Sequence, residues 1–299
     1  MVDEGQAVTG VKGPTTTSAV RMHGALWTWL ALGVVVALVG TLVLVKVVGG
    51  TTQPRTVVAL TQTSAAVLDE VTSIPPAVYN EVGVSSSTVP IAAPKVLSGV
   101  RPLVFTGATG ARLPGVVFWG AEFCSFCAAE RWPLIAALSR FGTFGTLYNM
   151  ESSATDYAPS TPTFTFYSSE YKSRLVVFRP YEVQSDVPGT VGYLALMAVP
   201  PRERDVVRQF DPSMQYPFVD IGNEVVVLQA AFSPETLSGV TREGIAGVLS
   251  NPASPVTQAI VSSANLLSAG ICAADAQRPA KVCGSAGVTA ADAALRLTR

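Results

Sequence analysis

Two cysteines separated by two residues form the part of this 299-residue chain best suited to chemistry. Cys124-Ser-Phe-Cys127 follows residues 116–119, an apolar run typical of a buried strand, and Gly120 ends that run. A helical pattern then begins at Cys124. A cysteine at a helix N-terminus faces unpaired backbone N–H groups and the positive end of the helix dipole, both of which favour the thiolate. The spacing also allows a disulfide between the two cysteines.

This arrangement predicts thiol–disulfide exchange. We expect Cys124 to be the exposed cysteine that attacks a disulfide as a thiolate, and Cys127 to resolve the mixed disulfide. Glu122 opposes the thiolate, and no lysine or histidine lies near in sequence, so we expect a moderately activated thiol. The alternative is a permanent structural disulfide. Glu130 and Arg131 could flank the site, but such a pair is more often a solvated surface pair.

The composition excludes several classes of protein. With 48% hydrophobic and 14% charged residues, the chain can bury a full core and is neither disordered nor a coiled coil. A net charge of −1 and a pI of about 5.9 argue against a nucleic-acid partner. The single histidine is His23, so the folded part has none for a Ser–His–Asp triad, a Cys–His pair or a Cys2His2 zinc site. We predict no metal and no cofactor.

The N-terminal region predicts a membrane anchor. Residues 1–23 form a polar tail to which we assign no structure. Residues 24–45 carry no charge, and these 22 positions suffice for a membrane-spanning helix, which we place at 24–48. A cleaved signal peptide is the competing interpretation, but its apolar core is usually ~7–15 residues long. Basic residues flank the segment equally, so the positive-inside rule does not decide the orientation.

The rest of the chain alternates strand and helix patterns. We divide it into a linker with an N-terminal helix, 49–96, and an α/β domain, 97–299, with a C-terminal helical extension. Gly222-Asn223 supplies the turn chemistry of a two-residue β-hairpin. The predicted strands are 102–106, 116–119, 163–167, 175–178, 216–221 and 224–228, and the predicted helices are 56–72, 124–141, 203–210, one starting at 233 and 256–269.

This order of elements resembles the thioredoxin fold. It runs from a strand through a CxxC helix to a further strand, then to an X-Pro step into a hairpin and a final helix. The resemblance implies a central mixed sheet flanked by helices and a cis proline that faces the CxxC and pairs with the substrate chain. Pro217 matches that proline, and Tyr216 precedes it. The longer separation of Cys127 from Pro217 implies an insertion at about 167–211.

The residues around the CxxC also resemble a second family. Gly120-Ala-Glu-Phe-Cys-Ser-Phe-Cys-Ala-Ala-Glu-Arg-Trp132, followed by Ala137-Leu-Ser-Arg-Phe-Gly142, is similar to the uncharacterised family catalogued as domain of unknown function 929. That resemblance implies no known activity. Ser125-Phe126 matches neither the Gly-Pro of reducing thioredoxins nor the Pro-His of strong oxidants, so the direction of electron flow stays open.

Cys272 and Cys283 form the second cysteine pair. An even cysteine count outside the cytosol favours a structural disulfide between them. A zinc site made of all four cysteines and a relay pair exchanging with the CxxC are the alternatives. If the bridge is stable, the C-terminal domain lies in an oxidising compartment, with the N-terminus in the cytoplasm.

Together these patterns predict a membrane-anchored thiol–disulfide oxidoreductase acting on extracytoplasmic proteins. Phe126, Tyr216 and Pro217 are the expected substrate-binding residues. A non-catalytic thioredoxin-like scaffold or assembly subunit of a membrane complex is the alternative, with Phe126 and Tyr216 as its docking surface.

Overall fold

The computed structural model of the chain describes residues 32–34, 60–85 and 88–297. The predicted tail, nearly all of the predicted membrane helix and the start of the linker lie outside the described residues. The chain divides into a unit of residues 1–59 and a compact unit of residues 60–299. The compact unit contains both cysteine pairs.

The compact unit alternates helices and strands in the following order. The elements are α1 (Ala65–Thr72), α2 (Pro76–Val82), β1 (Lys95–Val96), β2 (Val104–Thr106), β3 (Arg112–Gly120), α3 (Ser125–Leu138), β4 (Thr143–Glu151), β5 (Pro162–Lys172), β6 (Val177–Glu182), β7 (Gln184–Pro188), β8 (Tyr193–Ala195), α4 (Pro201–Phe210), β9 (Phe218–Ile221), β10 (Val225–Val227), a 3-10 helix (Pro234–Leu237), α5 (Arg242–Val248), α6 (Pro255–Ala274), α7 (Ala280–Cys283) and α8 (Ala286–Leu295).

The central sheet is mixed and is built around β3, as the sequence predicted for an α/β fold. β3 pairs in parallel with β6 from Gly115 to Gly120 and antiparallel with β9 from Val116 to Trp119. β10 pairs with β9, β1 pairs with β10, and β2 pairs with the first residues of β3. Two further antiparallel pairs, β4–β5 and β7–β8, form separate two-stranded sheets. β3 is therefore hydrogen-bonded along both edges.

Both faces of β3 are covered by apolar side chains. Val116 and Phe118 belong to the larger core cluster, which also contains apolar residues of α3 and α6. Val117 and Trp119 belong to a second cluster with Val207 of α4. This alternation follows from the two-residue period of a strand. Because β3 is buried on both faces, its C-terminal end lies inside the protein, and the CxxC follows directly from that end.

Several predicted elements are confirmed and one helix is corrected. β9 and β10 form the predicted hairpin, and Gly222 and Asn223 have φ of +64° and +57°, but Ile221 pairs with Val225, so the loop has three residues, 222–224, and the predicted two-residue loop is wrong. The helix predicted at 56–72 is wrong in its start. Among the described residues, 60–64 are not helical and the helix begins at Ala65, with Ser64 as the N-cap that accepts the N–H of Val67. Pro76 then begins α2, the position of a helix at which proline is tolerated.

The predicted insertion at about 167–211 contributes to the central sheet. It holds the end of β5 and the β7–β8 hairpin, but it also contains β6. β6 pairs with β3 in parallel over six residue pairs. The additional segments that lie outside the central sheet are therefore β4–β5 and β7–β8.

Within the described residues, one helix is long and apolar enough to cross a membrane. That helix is α6, with a mean hydropathy of 1.3, and 83% of its most apolar window is buried inside the protein. Its residues Ile260, Leu267 and Ile271 are buried in the larger core cluster. These contacts make α6 the central helix of the fold.

Candidate functional site

The CxxC lies at the junction between β3 and α3, as the sequence predicted. Cys124 is the N-cap of α3, in extended backbone conformation, and Cys127 lies in the first turn. Gly120 allows this close packing. A Cβ at Gly120 would run into the Phe118 ring and would lie 3.2 Å from the Sγ of Cys127. The end of β3 thus requires a residue without a side chain.

The two cysteines are free thiols in unlike environments. The N–H of Cys127 donates a hydrogen bond to Cys124 Sγ at 3.2 Å. A hydrogen bond from the Cys127 thiol and the charge of Arg131 lower the pKa of Cys124, although burial and Asp156 oppose them. Burial raises the pKa of Cys127 well above its ordinary value. Cys124 is therefore the better nucleophile of the pair.

The exposure predicted for Cys124 is wrong. Its side chain is 6% exposed, and Cys127 is fully buried. Two segments that follow later in the chain lie against this part of the protein. They are the loop of residues 153–160, after β4, and the β7–β8 hairpin. The sequence pattern identified the strand and the helix but gave no sign that these segments return to the helix start.

The 153–160 loop is tied to the residues around Cys124. The Ser125 N–H donates to the Asp156 carboxylate at 2.6 Å, and the Ser153 N–H donates to the carbonyl of Phe123 at 2.8 Å. The ring of Tyr157 stacks on Phe126 with centroids 5.2 Å apart. These contacts hold the loop against the start of α3.

The β7–β8 hairpin also contacts the residues around Cys124. Tyr193 stacks on Phe123 with ring centroids 4.1 Å apart, and its hydroxyl donates to Ser153 at 2.8 Å. The carbonyl of Gln184 accepts the N–H of Glu122 at 2.9 Å. The hairpin, the loop and the CxxC segment are therefore linked by direct contacts.

A buried ion pair lies behind the CxxC. Arg131, four residues after Cys127, donates from Nε and Nη2 to both carboxylate oxygens of Glu182 at 2.9 and 2.7 Å, and Nη2 also reaches the carbonyl of Ala121. Both side chains are fully buried. The guanidinium also lies 5.5 Å from the centre of the Phe118 ring. Arg131 thus places a positive charge inside the protein, close enough to act on both thiols.

The expectation that Glu130 and Arg131 form a solvated surface pair is therefore wrong. Arg131 pairs with Glu182, and Glu130 is fully buried, where it accepts the N–H of Ala231 at 2.9 Å. Burial raises the pKa of Glu130 to about 8 and that of Glu122 to about 7. Glu122 accepts a hydrogen bond from Thr165 at 2.6 Å. The negative charge expected beside Cys124 is thus reduced near neutral pH.

The three predicted substrate-binding residues all lie next to the CxxC segment. Phe126 is 37% exposed. Tyr216 packs edge-on against Phe123 at 6.0 Å, donates its hydroxyl to Gln184 at 2.9 Å and is close enough for both cysteines to raise its pKa, after the larger effect of burial. The Tyr216–Pro217 peptide bond is cis, and Phe218, the next residue, pairs with Trp119 of β3. Pro217 therefore lies beside the end of β3.

The second cysteine pair is bonded separately. Cys272 of α6 and Cys283 of α7 form a disulfide with a Cα–Cα distance of 5.6 Å. Both cysteines are buried. Because disulfide sulfurs are not thiolate ligands, this arrangement gives no support to the four-cysteine zinc alternative. In the described residues, no three histidine, cysteine, aspartate or glutamate side chains are grouped to hold a metal ion.

Comparison with known families gives a match over the part of the chain that contains the CxxC. Residues 108–190 match the family model described as a domain of unknown function, DUF929. The resemblance to domain of unknown function 929 is thereby confirmed. The DUF929 match contains β3, the CxxC, the 153–160 loop and β6. No curated protein and no solved structure matches the chain.

Three residues of the site escaped prediction from the sequence. Asp156, Glu182 and Tyr193 each contact the CxxC region across 31 or more positions of the chain. Residue type alone gave no signal for Glu182 or Tyr193. Asp156 lies in Ser-Ser-Ala-Thr-Asp, a polar stretch typical of a loop whose side chains cap a helix, and that composition was the one available signal.

Proposed function

We propose that the chain is a membrane-anchored thiol–disulfide oxidoreductase with a thioredoxin-like fold, acting on extracytoplasmic proteins through Cys124 and Cys127. The fold proposal rests on strand order. β6, β3, β9 and β10 lie side by side, with β6 parallel to β3 and β9 antiparallel to it. The CxxC follows β3, and Pro217 leads into β9. The sequence of strand, CxxC helix, further strand and X-Pro step into a hairpin along the chain is the one that the thioredoxin resemblance implies.

One observation carries the proposed activity. Cys124 is a free thiol at the N-cap of a 14-residue helix, and its sulfur already accepts the N–H of Cys127. That N–H and the helix dipole stabilise negative charge on the sulfur. The pKa of Cys124 is lowered and that of Cys127 is raised, as an attacking and a resolving thiol require.

The proposed exchange transfers two electrons to the substrate. The Cys124 thiolate attacks one sulfur of a substrate disulfide, forming a mixed disulfide and releasing the other sulfur as a thiolate. Cys127 loses its proton to solvent and attacks Cys124 Sγ, which forms the Cys124–Cys127 disulfide and releases the second substrate thiolate. Protons from water complete two substrate thiols. Oxidation of a substrate dithiol is the same sequence in reverse.

The activity is tested by turnover and by trapping. The purified, reduced full-length chain is given insulin or a glutathione mixed disulfide, and release of substrate thiols is followed. Cys124→Ser is expected to abolish release. Cys127→Ser is expected to accumulate a mixed disulfide between Cys124 and the substrate, visible by mass spectrometry. Wild-type turnover that survives Cys124→Ser would refute the proposal.

A second candidate function is a non-catalytic thioredoxin-like scaffold or assembly subunit. The observation that favours it is the burial of the pair, with Cys124 6% and Cys127 0% exposed. Phe126 and Tyr157, which are 37% and 60% exposed, would then contribute to a docking surface. Absence of any exchange by the wild-type chain, together with no alkylation of Cys124 in the folded state, would favour the scaffold.

The proposed location follows from redox chemistry. A disulfide between Cys272 and Cys283 persists in an oxidising compartment. With the anchor at 24–48, the domain would then be extracytoplasmic and the N-terminus cytoplasmic. A reporter fused after Arg299 that requires export is expected to be active, and a reporter active only in the cytoplasm is expected to be silent. The reverse result would overturn this topology.

A further inference from the structure

Two acceptors share the first turn of α3. Cys124 Sγ accepts the N–H of Cys127 at 3.2 Å, and the Asp156 carboxylate accepts the N–H of Ser125 at 2.6 Å. Both N–H groups belong to the unpaired donors at the start of one helix. A thiolate on Cys124 and the carboxylate of Asp156 would therefore be two negative charges at the same helix end.

We infer that Asp156 is a positioning residue that lowers the reactivity of Cys124. Its carboxylate accepts an N–H at the same helix end that would stabilise a Cys124 thiolate. The inference rests on the proposed function in taking Cys124 as the nucleophile, and it adds the residue that sets the nucleophile's reactivity. With the 153–160 loop in place, fewer Cys124 side chains are ionised at a given pH than the bare helix end would give.

The loop holds Asp156 at this position through several contacts. The Ser153 N–H donates to Phe123, and Tyr157 stacks on Phe126, so the loop is fixed to the CxxC segment on both sides of Asp156. The N–H of Ala158 lies 3.4 Å from the Ser125 hydroxyl. The Asp156 side chain is half-buried, between the exposed Thr155 and Tyr157. The contacts of the 153–160 loop thus hold the Asp156 carboxylate at the start of α3.

The other groups that act on Cys124 come from two elements. The Cys127 thiol and Arg131, both on α3, lower the pKa of Cys124. Tyr216, in the loop before β9, lies near both sulfurs; burial and then the two cysteines raise its pKa above the ordinary value of 10.0, so its hydroxyl stays neutral at physiological pH. Burial and Asp156 act in the opposite direction. Among these described groups, Asp156 is the charged one that a loop brings to the thiol, so it can be replaced without altering the core.

Asp156→Asn is the test, because asparagine keeps an oxygen acceptor for Ser125 and removes the charge. The full-length chain carrying Cys127→Ser is alkylated with iodoacetamide over a pH series, and modification of Cys124 is measured by mass spectrometry. We expect the pKa of Cys124 to fall by about one unit. A thiolate of lower pKa is also less nucleophilic, with a Brønsted coefficient of about 0.5.

These two effects predict crossing pH profiles. Below both pKa values, the Asp156→Asn variant has about tenfold more thiolate, and each thiolate reacts about threefold more slowly. Its alkylation rate is therefore about threefold above that of the Asp156 form. Above both pKa values, the Asp156→Asn rate is about threefold below it. A change in access alone would move the rate in one direction at every pH.

Two variants serve as controls. Tyr157→Ala removes the stack on Phe126 but keeps the carboxylate and its hydrogen bond from the Ser125 N–H, so its profile is expected not to cross that of the parent. Asp205→Asn removes an exposed carboxylate on α4, paired with Arg208, and is expected to leave the profile unchanged. Asp205 is the matched control for loss of one negative charge.

Each outcome decides the inference. Crossing profiles for Asp156→Asn support it. An unchanged profile, a rise at all pH values as a change in access alone would give, or no alkylation of Cys124 in either form overturns it. The alkylation requires no catalytic turnover, so a chain that shows the crossing but never exchanges disulfides would refute the proposed function while leaving the action of Asp156 on Cys124 established.

Discussion

Cys124 and Cys127 are separated by less than one helical turn, yet their surroundings shift their thiol pKa values in opposite directions. Cys124 receives an N–H and a thiol hydrogen bond, whereas Cys127 is fully buried behind Gly120. Arg131 supplies a buried positive charge, and its own charge is satisfied by Glu182. At the residue scale, the reactivity of the two thiols therefore depends on which of them can ionise and on the charged groups buried beside them.

Glu130 makes stability depend on pH. Its pKa is raised from 4.5 to about 8 by burial, so between these values the folded chain keeps a proton that the unfolded chain releases. The stability that this proton contributes is present in full below pH 4.5. It is lost as the pH rises toward 8, by at most about 1.4 kcal/mol of unfolding free energy per pH unit. Glutamine resembles the protonated carboxyl, so Glu130→Gln should lose less stability from pH 5 to pH 8. Urea unfolding at several pH values measures the difference.

Glu243, on the exposed side of α5, provides the control for Glu130. Glu243→Gln makes the same substitution at an exposed position, so a change in pH dependence that is confined to Glu130→Gln reports the buried carboxyl. If wild type and Glu130→Gln gave parallel stability curves over this range, Glu130 would not be held in its protonated form by burial.

At the element scale, α6 packs closely against the β9–β10 hairpin. Gly270 of α6 lies directly over β10, and a Cβ there would be 2.5 Å from Val225 Cγ2. Glycine is unfavourable inside a helix by about 1 kcal/mol relative to alanine. Its presence at this point is explained by the close approach of strand and helix.

Replacing Gly270 and Gly247 with alanine should therefore change stability in opposite directions. Gly270→Ala must displace α6 or Val225 and is expected to cost about 1–3 kcal/mol of unfolding free energy. Gly247 lies on the exposed side of α5 with open space around its missing Cβ, so Gly247→Ala should gain about 0.5–1 kcal/mol. Urea denaturation of the two variants gives both values. Equal effects would mean that the contact with Val225 does not limit the helix.

Local elements could be predicted from the sequence, but the surroundings of the CxxC could not. The strand, the CxxC helix and the β9–β10 hairpin each have a signal within a few residues, such as Gly120 or Gly222-Asn223. The partners of the site do not. Arg131 meets Glu182 across 51 positions, and Asp156 meets Ser125 across 31. The burial of Cys124 depends on such returns of the chain, which no periodicity encodes.

At the scale of the whole molecule, α6 connects the two ends of the described compact unit. It packs against α3, which carries the CxxC, and against α2 and α8. The Asn265 side chain donates to the carbonyls of Tyr79 and Gly83 at 2.8 and 2.7 Å. The Cys272–Cys283 disulfide fixes the C-terminal helices to this same element. The contribution of the disulfide is therefore to the stability of the unit.

Removing the Cys272–Cys283 disulfide should destabilise the chain. The bridge closes a loop of 11 positions, for which the chain-entropy model gives about 3 kcal/mol at 25 °C. The double variant Cys272→Ala/Cys283→Ala is expected to lose about that much unfolding free energy in urea, measured without reductant. The matched control is Cys124→Ser/Cys127→Ser, which closes no loop and should give a smaller loss. If the control lost as much as the alanine pair, the stabilising term would come from the volume and hydrogen bonds of the sulfur atoms and not from the covalent constraint.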